Sequence, residues 1–242
     1  MNYKPVFNVY DAQFMKTTTG VLYATVKEQK YVTANDIDIF YNIEQDGGGS
    51  IWAADVVSLV QQLYPNRKFH NVFEWCSGPG FIGFSLLANS LCSNLCLGDI
   101  YQPALDHCTL TKQNLNNKYQ ENIVEIIKMG SLEDLTDSYQ FDLIVGNPPH
   151  FDTVTTRFST YYDPRLFVDE HWDIHKNFFE NVKKNLTKDG IIILLESFWG
   201  SSPDTFTQMI DDANLQITKY IEYDHGGGQP LYPLYYLEIS HK

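Results

Sequence analysis

The sequence predicts an α/β protein: a mostly parallel sheet covered by helices on both faces. Three observations carry this. From about residue 51 onward, short apolar runs of strand length alternate with segments of helical periodicity. A glycine-rich turn, Cys76-Ser-Gly-Pro-Gly80-Phe-Ile-Gly83, joins one such strand to one such helix. A second strand, Phe141–Gly146, runs into Asn147-Pro148-Pro149-His150 and cannot continue as sheet, because neither proline has an N–H and Pro148 holds Asn147 extended.

Taken in order, residues 1–50 read as a β-rich extension, with strands at Gly20–Val26 and Asp36–Ile43 forming a hairpin or small sheet. Asp46-Gly-Gly-Gly-Ser50 is a connection. A helix follows over Ile51–Tyr64, where Trp52, Val56, Leu59, Val60 and Leu63 repeat at helical spacing and Trp52 reads as core. Residues 51–242 then form the main domain. Its strands are expected at Asn71–Trp75, Leu95–Leu97, Ile123–Met129, Phe141–Gly146 and Ile191–Leu195, the last entered through an Asp189-Gly190 turn. Helices are expected from Gly83 to about Ser90, at Pro103–Leu115, near Trp172–Leu186 and over Pro203–Ala213, with a helical turn at Ser131–Leu135. The final strands, Gln216–Tyr223 and Leu234–Ile239, have no helix between them and must be antiparallel. Gly226–Gly228 is a loop joining them.

Composition narrows the function. With 17 basic and 30 acidic residues the net charge is −13, which opposes non-specific attraction to nucleic acid. A small molecule or a protein is the favoured partner. No apolar run approaches the length of a membrane span, and the N-terminus lacks the basic-then-apolar pattern of a signal peptide. Together with four cysteines that form no disulfide framework, this gives the expectation of a cytoplasmic protein with no membrane partner.

The glycine turn brings backbone close to a ligand and aims helix N–H groups at it. Asp99, at the end of the next strand, is placed to accept hydrogen bonds from ribose hydroxyls. Glu74-Trp-Cys-Ser-Gly78-Pro-Gly80-Phe-Ile-Gly83, Asp99-Ile-Tyr-Gln-Pro-Ala-Leu105 and Asn147-Pro-Pro-His150 together resemble the class I S-adenosylmethionine-dependent methyltransferases. Within them the chain is similar to the branch with an Asn/Asp-Pro-Pro-aromatic motif, which holds the HemK-like protein glutamine N5-methyltransferases and the N6-adenine methyltransferases. The resemblance covers residues 50–200. It implies a Rossmann-like seven-stranded sheet, mostly parallel with an antiparallel last strand.

The resemblance also implies S-adenosyl-L-methionine as cofactor. Glu74, Cys76, Gly78 and Gly80 would lie at its methionine end, Asp99 and Ile100 at the ribose, and Ser131 and Leu132 near the adenine, with Asn147 closing the site. Cys76 stands where the family usually has glycine, Ser131 where an acidic residue is frequent, and His150 where an aromatic ring is usual.

Methyl transfer is an in-line displacement, so the acceptor nitrogen must point a lone pair at the methyl carbon. The Asn147 side-chain oxygen and the Pro148 carbonyl can accept that nitrogen's two protons, so Asn147, Pro148, Pro149 and His150 are the catalytic candidates. His150 can stack on a planar acceptor or take a proton. An amide or amine nitrogen of a protein or small molecule is the expected acceptor, with a nucleic-acid adenine as the alternative. A nicotinamide-dinucleotide oxidoreductase and a non-catalytic binding protein are the competing classes.

The aromatics after the motif, Phe151, Phe158, Tyr161, Tyr162, Phe167 and Trp172, form an acceptor wall or plain packing. Phe151, Arg157, Tyr161 and Tyr162 are the substrate candidates, and Arg165 could meet an anionic group. His171 and His175 share the spacing of a two-ligand metal face, but no companion motif completes a site, so they read as helix-surface residues and no metal is expected. Cys92 and Cys96 read as buried packing.

Overall fold

The computed structural model describes residues 5–6, 12–16, 22–26, 29–46, 48–153, 164–222 and 234–242. The N-terminal strands are β1 (Pro5–Val6), β2 (Ala12–Lys16), β3 (Leu22–Val26), β4 (Gln29–Ala34) and β5 (Ile37–Asn42). They pair as a β2–β3 hairpin and a three-stranded antiparallel sheet in the order β1-β4-β5. Alternation along β5 turns Ile37, Ile39 and Tyr41 inward, into the same apolar core as helix α1 (Gly49–Leu63). That helix begins two residues before the predicted start, behind Gly48 with φ +94°.

The main sheet follows from β6 (Phe69–Trp75), β7 (Cys92–Asp99), β8 (Val124–Lys128), β9 (Phe141–Gly146), β10 (Leu186–Ser197), β11 (Leu215–Glu222) and β12 (Leu234–His241). Helices α2 (Phe81–Ala88), α3 (Gln102–Gln113), α4 (Asp173–Val182) and α5 (Pro203–Asp212) cover it. The seven strands order as β11-β12-β10-β9-β6-β7-β8. All pairs are parallel except those of β12, which runs against both β10 and β11. This is the expected seven-stranded arrangement with an antiparallel last strand.

Period-two side-chain alternation splits the interior into two layers. Leu143, Val145, Ile191, Ile193 and Leu195 face α1 and α2, whereas Ile144, Ile192 and Leu194 face Phe178 and Phe179 of α4 and Phe206 of α5. Cys92 and Cys96 are buried, as expected. The order places β9 and β6 side by side at the centre. Their C-terminal ends carry the Asn-Pro-Pro-His segment and the glycine turn, so the two motifs meet at one sheet edge, where open α/β folds bind ligands.

Two local expectations change. Asp189-Gly190 is not a turn before a strand: β10 begins at Leu186, and its register against β9 shifts between Leu186 and Ile191, so the pair is an irregularity inside the strand. The helix expected from Trp172 begins at Asp173, because His171 and Trp172 take φ of +58° and +59°. His171 therefore does not share a helix face with His175, and the two cannot form an i, i+4 pair. Gly226–Gly228 lies outside the described residues.

Candidate active site

A cavity of about 410 Å³ opens at this edge, within the size range of small-molecule sites. Its floor is the glycine turn, from Glu74 through Pro79, with Phe81 and Ile82. One side is Gly98 to Tyr101 and Met129 to Ser131, and the other is Asn147 to His150. Of the expected cofactor residues, Glu74, Cys76, Gly78, Asp99, Ile100, Ser131 and Asn147 line it together. Gly80 and Leu132 are not part of the wall. Leu132 is buried in the core on the α4 side.

Glu74 holds the turn. Its carboxylate accepts the N–H of Ile82 at 3.1 Å and of Gly83 at 2.7 Å, capping the start of α2. Burial pushes its pKa up to about 8 in spite of those two donors. A Cβ on Gly83 would lie 2.7 Å from a Glu74 oxygen, so the third glycine of the motif makes room for this cap.

Gly78 serves a different need. Its φ is +51°, and a Cβ there would meet nothing within 4 Å, so its backbone faces open space. Cys76, with φ +52°, occupies the same left-handed region with a side chain, at a cost of about 1 kcal/mol. That cost accounts for the glycine usual here in the family it resembles. Burial, reinforced by the carboxylates around it, raises the Cys76 pKa well above that of an ordinary thiol, which keeps it neutral.

Asp99 ties the second wall to the first. Its oxygens accept the N–H of Gly78 at 2.7 Å and of Tyr101 at 2.8 Å, leaving lone pairs for ligand hydroxyls. Burial raises its pKa above the usual value. Ser131 donates to Asn177 Oδ1 at 2.8 Å and accepts the Glu133 N–H at 3.1 Å.

Among the described residues, two polar atoms on this wall are unpartnered. Asn147 Oδ1 and Gln45 Nε2 are buried without a hydrogen bond, and both residues line the cavity. Buried polar atoms are paired with few exceptions, and an orphan needs a reason. Gln45 belongs to the short turn after β5, and with Glu44 and Gly49 it brings the N-terminal extension into the site. Sequence reasoning missed this contribution, and no pattern in residues 43–49 would have shown it.

His150 leads inward. Its Nδ1 lies 3.4 Å from Glu196 Oε2, at the end of β10. Glu196 Oε1 is 3.0 Å from His175 Nε2, and His175 Nδ1 is 2.6 Å from Asp169 Oδ2. Asp169 in turn accepts the N–H of Ile174 at 2.7 Å and of His175 at 3.0 Å, capping α4. His175 is thus fully buried, not a helix-surface residue. The expectation failed because the helix starts only at Asp173, and His175 falls on its buried face with Phe178, Phe179 and Val182 while Asp173 and Ile174 stay exposed. His171 is exposed as expected.

After the motif, Phe151 is buried and bridges to Val168, with its N–H donating to the Phe167 carbonyl at 2.9 Å. Phe167 and Arg165 line the cavity, and Arg165 sits 5.5 Å from the Tyr101 ring centre. Trp172 packs against the core. Arg157, Phe158, Tyr161 and Tyr162 lie outside the described residues. Trp52 packs against the core as expected.

Gly200 presses on the motif from the end of β10. A Cβ there would fall 1.8 Å from the His150 carbonyl oxygen and 2.9 Å from Phe151. Gly200→Ala is therefore expected to lower stability by about 1–3 kcal/mol, the range for forced overpacking, measured by thermal or urea denaturation. An unchanged midpoint would mean the His150 peptide moves aside freely.

A family model described as Eco57I restriction-modification methylase matches residues 84–225. A ribosomal protein uL3 glutamine methyltransferase of Francisella tularensis is 28% identical over 130 residues, 51% of this chain and 40% of that protein. A bifunctional methyltransferase of Rickettsia conorii is 30% identical over 159 residues, 63% of this chain and 29% of that protein. The matches thus span less than half the length of these curated relatives. Among solved structures, a S-adenosylmethionine-dependent methyltransferase from Clostridium acetobutylicum superposes with a TM-score of 0.54 at 11% identity, covering 82% of this chain and 94% of that one. A ribosomal protein L11 methylase from Lactobacillus delbrueckii gives 0.53 at 15%, covering 78% and 79%. At these identities the likeness is one of fold.

Proposed function

The chain belongs to the Eco57I restriction-modification methylase family, and from that premise we propose that it is a S-adenosylmethionine-dependent N-methyltransferase acting on an amide or amine nitrogen of a protein or small molecule. The observation that carries this reading is the unpartnered Asn147 Oδ1 on the wall of a cavity floored by the glycine turn. When bound, the cofactor supplies a methyl group on a positively charged sulfur.

The residues suit such a ligand. Glu44 and Asp99 make the lining acidic against Arg165, which favours a cation and disfavours the pyrophosphate of a nicotinamide dinucleotide. Asp99 and Ile100 would hold the ribose, Ser131 and Asn177 the base, and Glu74, Cys76 and Gly78 the methionine end, with the Gln45 amide free to donate there. Asn147 Oδ1 and the Pro148 carbonyl would accept the two N–H groups of the acceptor and turn its lone pair. Orientation of this kind is worth on the order of 7–11 kcal/mol of barrier.

A protein acceptor is supported by the uL3 glutamine methyltransferase relative and by the net charge of −13. The family name favours a second reading, an adenine of nucleic acid, which that charge opposes. We place the catalytic unit at residues 51–242, with residues 1–50 an extension that reaches the cavity through Glu44 and Gln45. Cytoplasmic work is supported by four free cysteines. Among the described residues, no helix is long and apolar enough to cross a membrane.

Calorimetry with S-adenosylhomocysteine and with NAD tests the cofactor: heat with the thioether and none with NAD is expected, and the reverse overturns the reading. Labelled S-adenosylmethionine incubated with fractionated cell extract then shows whether label enters protein, small molecules or nucleic acid. Asp99→Ala is expected to weaken S-adenosylhomocysteine binding by about 1–3 kcal/mol, and unchanged affinity would mean Asp99 does not meet the ribose.

A further inference from the structure

Four ionisable side chains form one buried line from the cavity to the start of α4: His150, Glu196, His175 and Asp169. Glu196, His175 and Asp169 have fully buried side chains, whereas His150 keeps 13% exposure and lines the cavity. Among the described residues the line therefore has one outlet. An aromatic stacker at position 150 needs none of this, and buried ion clusters are weak stabilisers because desolvation offsets their attraction.

We propose, resting on the methyltransferase reading above, that His150 Nε2 is the base that takes the acceptor nitrogen's proton, and that Glu196, His175 and Asp169 position it.

The partners at each ring nitrogen set which way the protons in the line point. His175 has a carboxylate at each ring nitrogen, 2.6 Å and 3.0 Å away, so both nitrogens donate and the ring is an imidazolium. Burial, the largest single effect, pulls its pKa down, but the two carboxylates together outweigh it and hold the pKa up at about 9. The same contacts, against burial, hold Glu196 below its ordinary value, so it is a carboxylate. An ionised Glu196 only accepts, so His150 donates Nδ1–H to it, and the neutral ring then has its Nε2 lone pair left for the cavity.

With His150 neutral, two carboxylates and one imidazolium leave the line at −1. A proton on His150 brings it to zero. Among the described residues, the other charged or titratable groups that line the cavity with His150 are Cys76 on the glycine turn, Glu44, Glu74, Asp99 and Tyr101, and Arg165 on the returning loop.

The step balances simply. A new N–C bond forms on the acceptor's lone pair, the C–S electron pair returns to sulfur, and one of the two N–H protons that Asn147 and Pro148 oriented, made acidic by the new bond, passes to His150 Nε2. The imidazolium releases it to solvent after the product leaves. An acceptor that must lose a proton, such as an amine or amide nitrogen, fits this arrangement.

Long-range nitrogen–proton NMR of the imidazole rings tests the line in the full chain without an acceptor. His150 is expected as the Nδ1–H form and His175 as doubly protonated at neutral pH, giving up its extra proton near pH 9. In Glu196→Gln the preference of His150 for that form is lost. An Nε2–H form of His150 or a neutral His175 in the wild-type protein overturns the proposal, and neither depends on a variant folding.

Label transfer from S-adenosylmethionine into the extract gives the second arm. His150→Phe keeps a flat ring with no nitrogen and is expected to lose transfer by on the order of 100-fold or more, with S-adenosylhomocysteine heat unchanged. Transfer at the wild-type rate makes His150 a stacker. If the wild-type protein binds no S-adenosylhomocysteine, the methyltransferase reading fails, while the ring protonation states still decide whether the line exists.

Discussion

Replacing His175 by Phe is expected to cost about 3–5 kcal/mol, because removing one partner from a buried ion cluster leaves the others uncompensated. The choice of Phe isolates charge from packing. The His175 ring stacks on Phe206 at 4.6 Å between centroids and meets Trp75 and Trp172 edge-on at 5.4 Å and 5.5 Å. A phenyl ring keeps these contacts and strands the Glu196 and Asp169 carboxylates in the interior.

The pH dependence follows from the direction of the shift. His175 is raised from 6.5 to about 9 on folding, so its contribution is complete below pH 6.5 and is lost as pH rises through about 9. The gap between wild type and His175→Phe should therefore be wide at pH 7 and narrow at pH 10, read by urea denaturation at both. An equal gap at both would show that His175 is held neutral. Glu74 tilts the curve the same way. Its pKa rises from 4.5 to about 8 through burial, so the folded protein loses its preference as pH climbs across that window. Because Glu74 is common to both proteins, it cancels in the gap.

The line around His175 also marks where the sequence stopped being readable. The Phe141–Gly146 strand, the glycine turn and Asp99 each announce themselves locally, through period, proline chemistry and spacing, and they converge in the fold because β9 and β6 are neighbours. Glu196 ends an apolar strand and has no local partner. Its two histidines lie 46 and 21 residues away, brought to it by sheet order and by α4 crossing the sheet. No periodicity reports such a pairing. His175 was misplaced for a narrower reason: Asp169 caps the backbone of Ile174 and His175, and the left-handed His171 and Trp172 lack the glycine that usually signals such a conformation. Gln45 was hidden likewise, since a turn beside an antiparallel extension gives no sign that it faces a cavity formed mainly by residues from Glu74 onward.

Asn147→Ala is expected to remove methyl transfer almost entirely, by about 10²–10³-fold or more, the scale on which positioned polar groups act in catalysis. Affinity for S-adenosylhomocysteine should stay within a few-fold, because Asp99, Glu74 and the glycine turn remain. The sharper signature is in stability. Asn147 Oδ1 makes no hydrogen bond in the free protein and is buried, so deleting it breaks no internal bond there and removes a desolvated polar atom. A variant that loses activity while its denaturation midpoint holds or rises is what an acceptor-orienting group predicts. A turn residue predicts the opposite: activity retained, or lost together with stability. Asn147→Asp separates orientation from charge, since its carboxylate also accepts hydrogen bonds and the family it resembles uses either residue. Partial transfer in Asn147→Asp beside none in Asn147→Ala would place the function in the side-chain oxygen itself, at the end of β9 where the chain leaves the sheet.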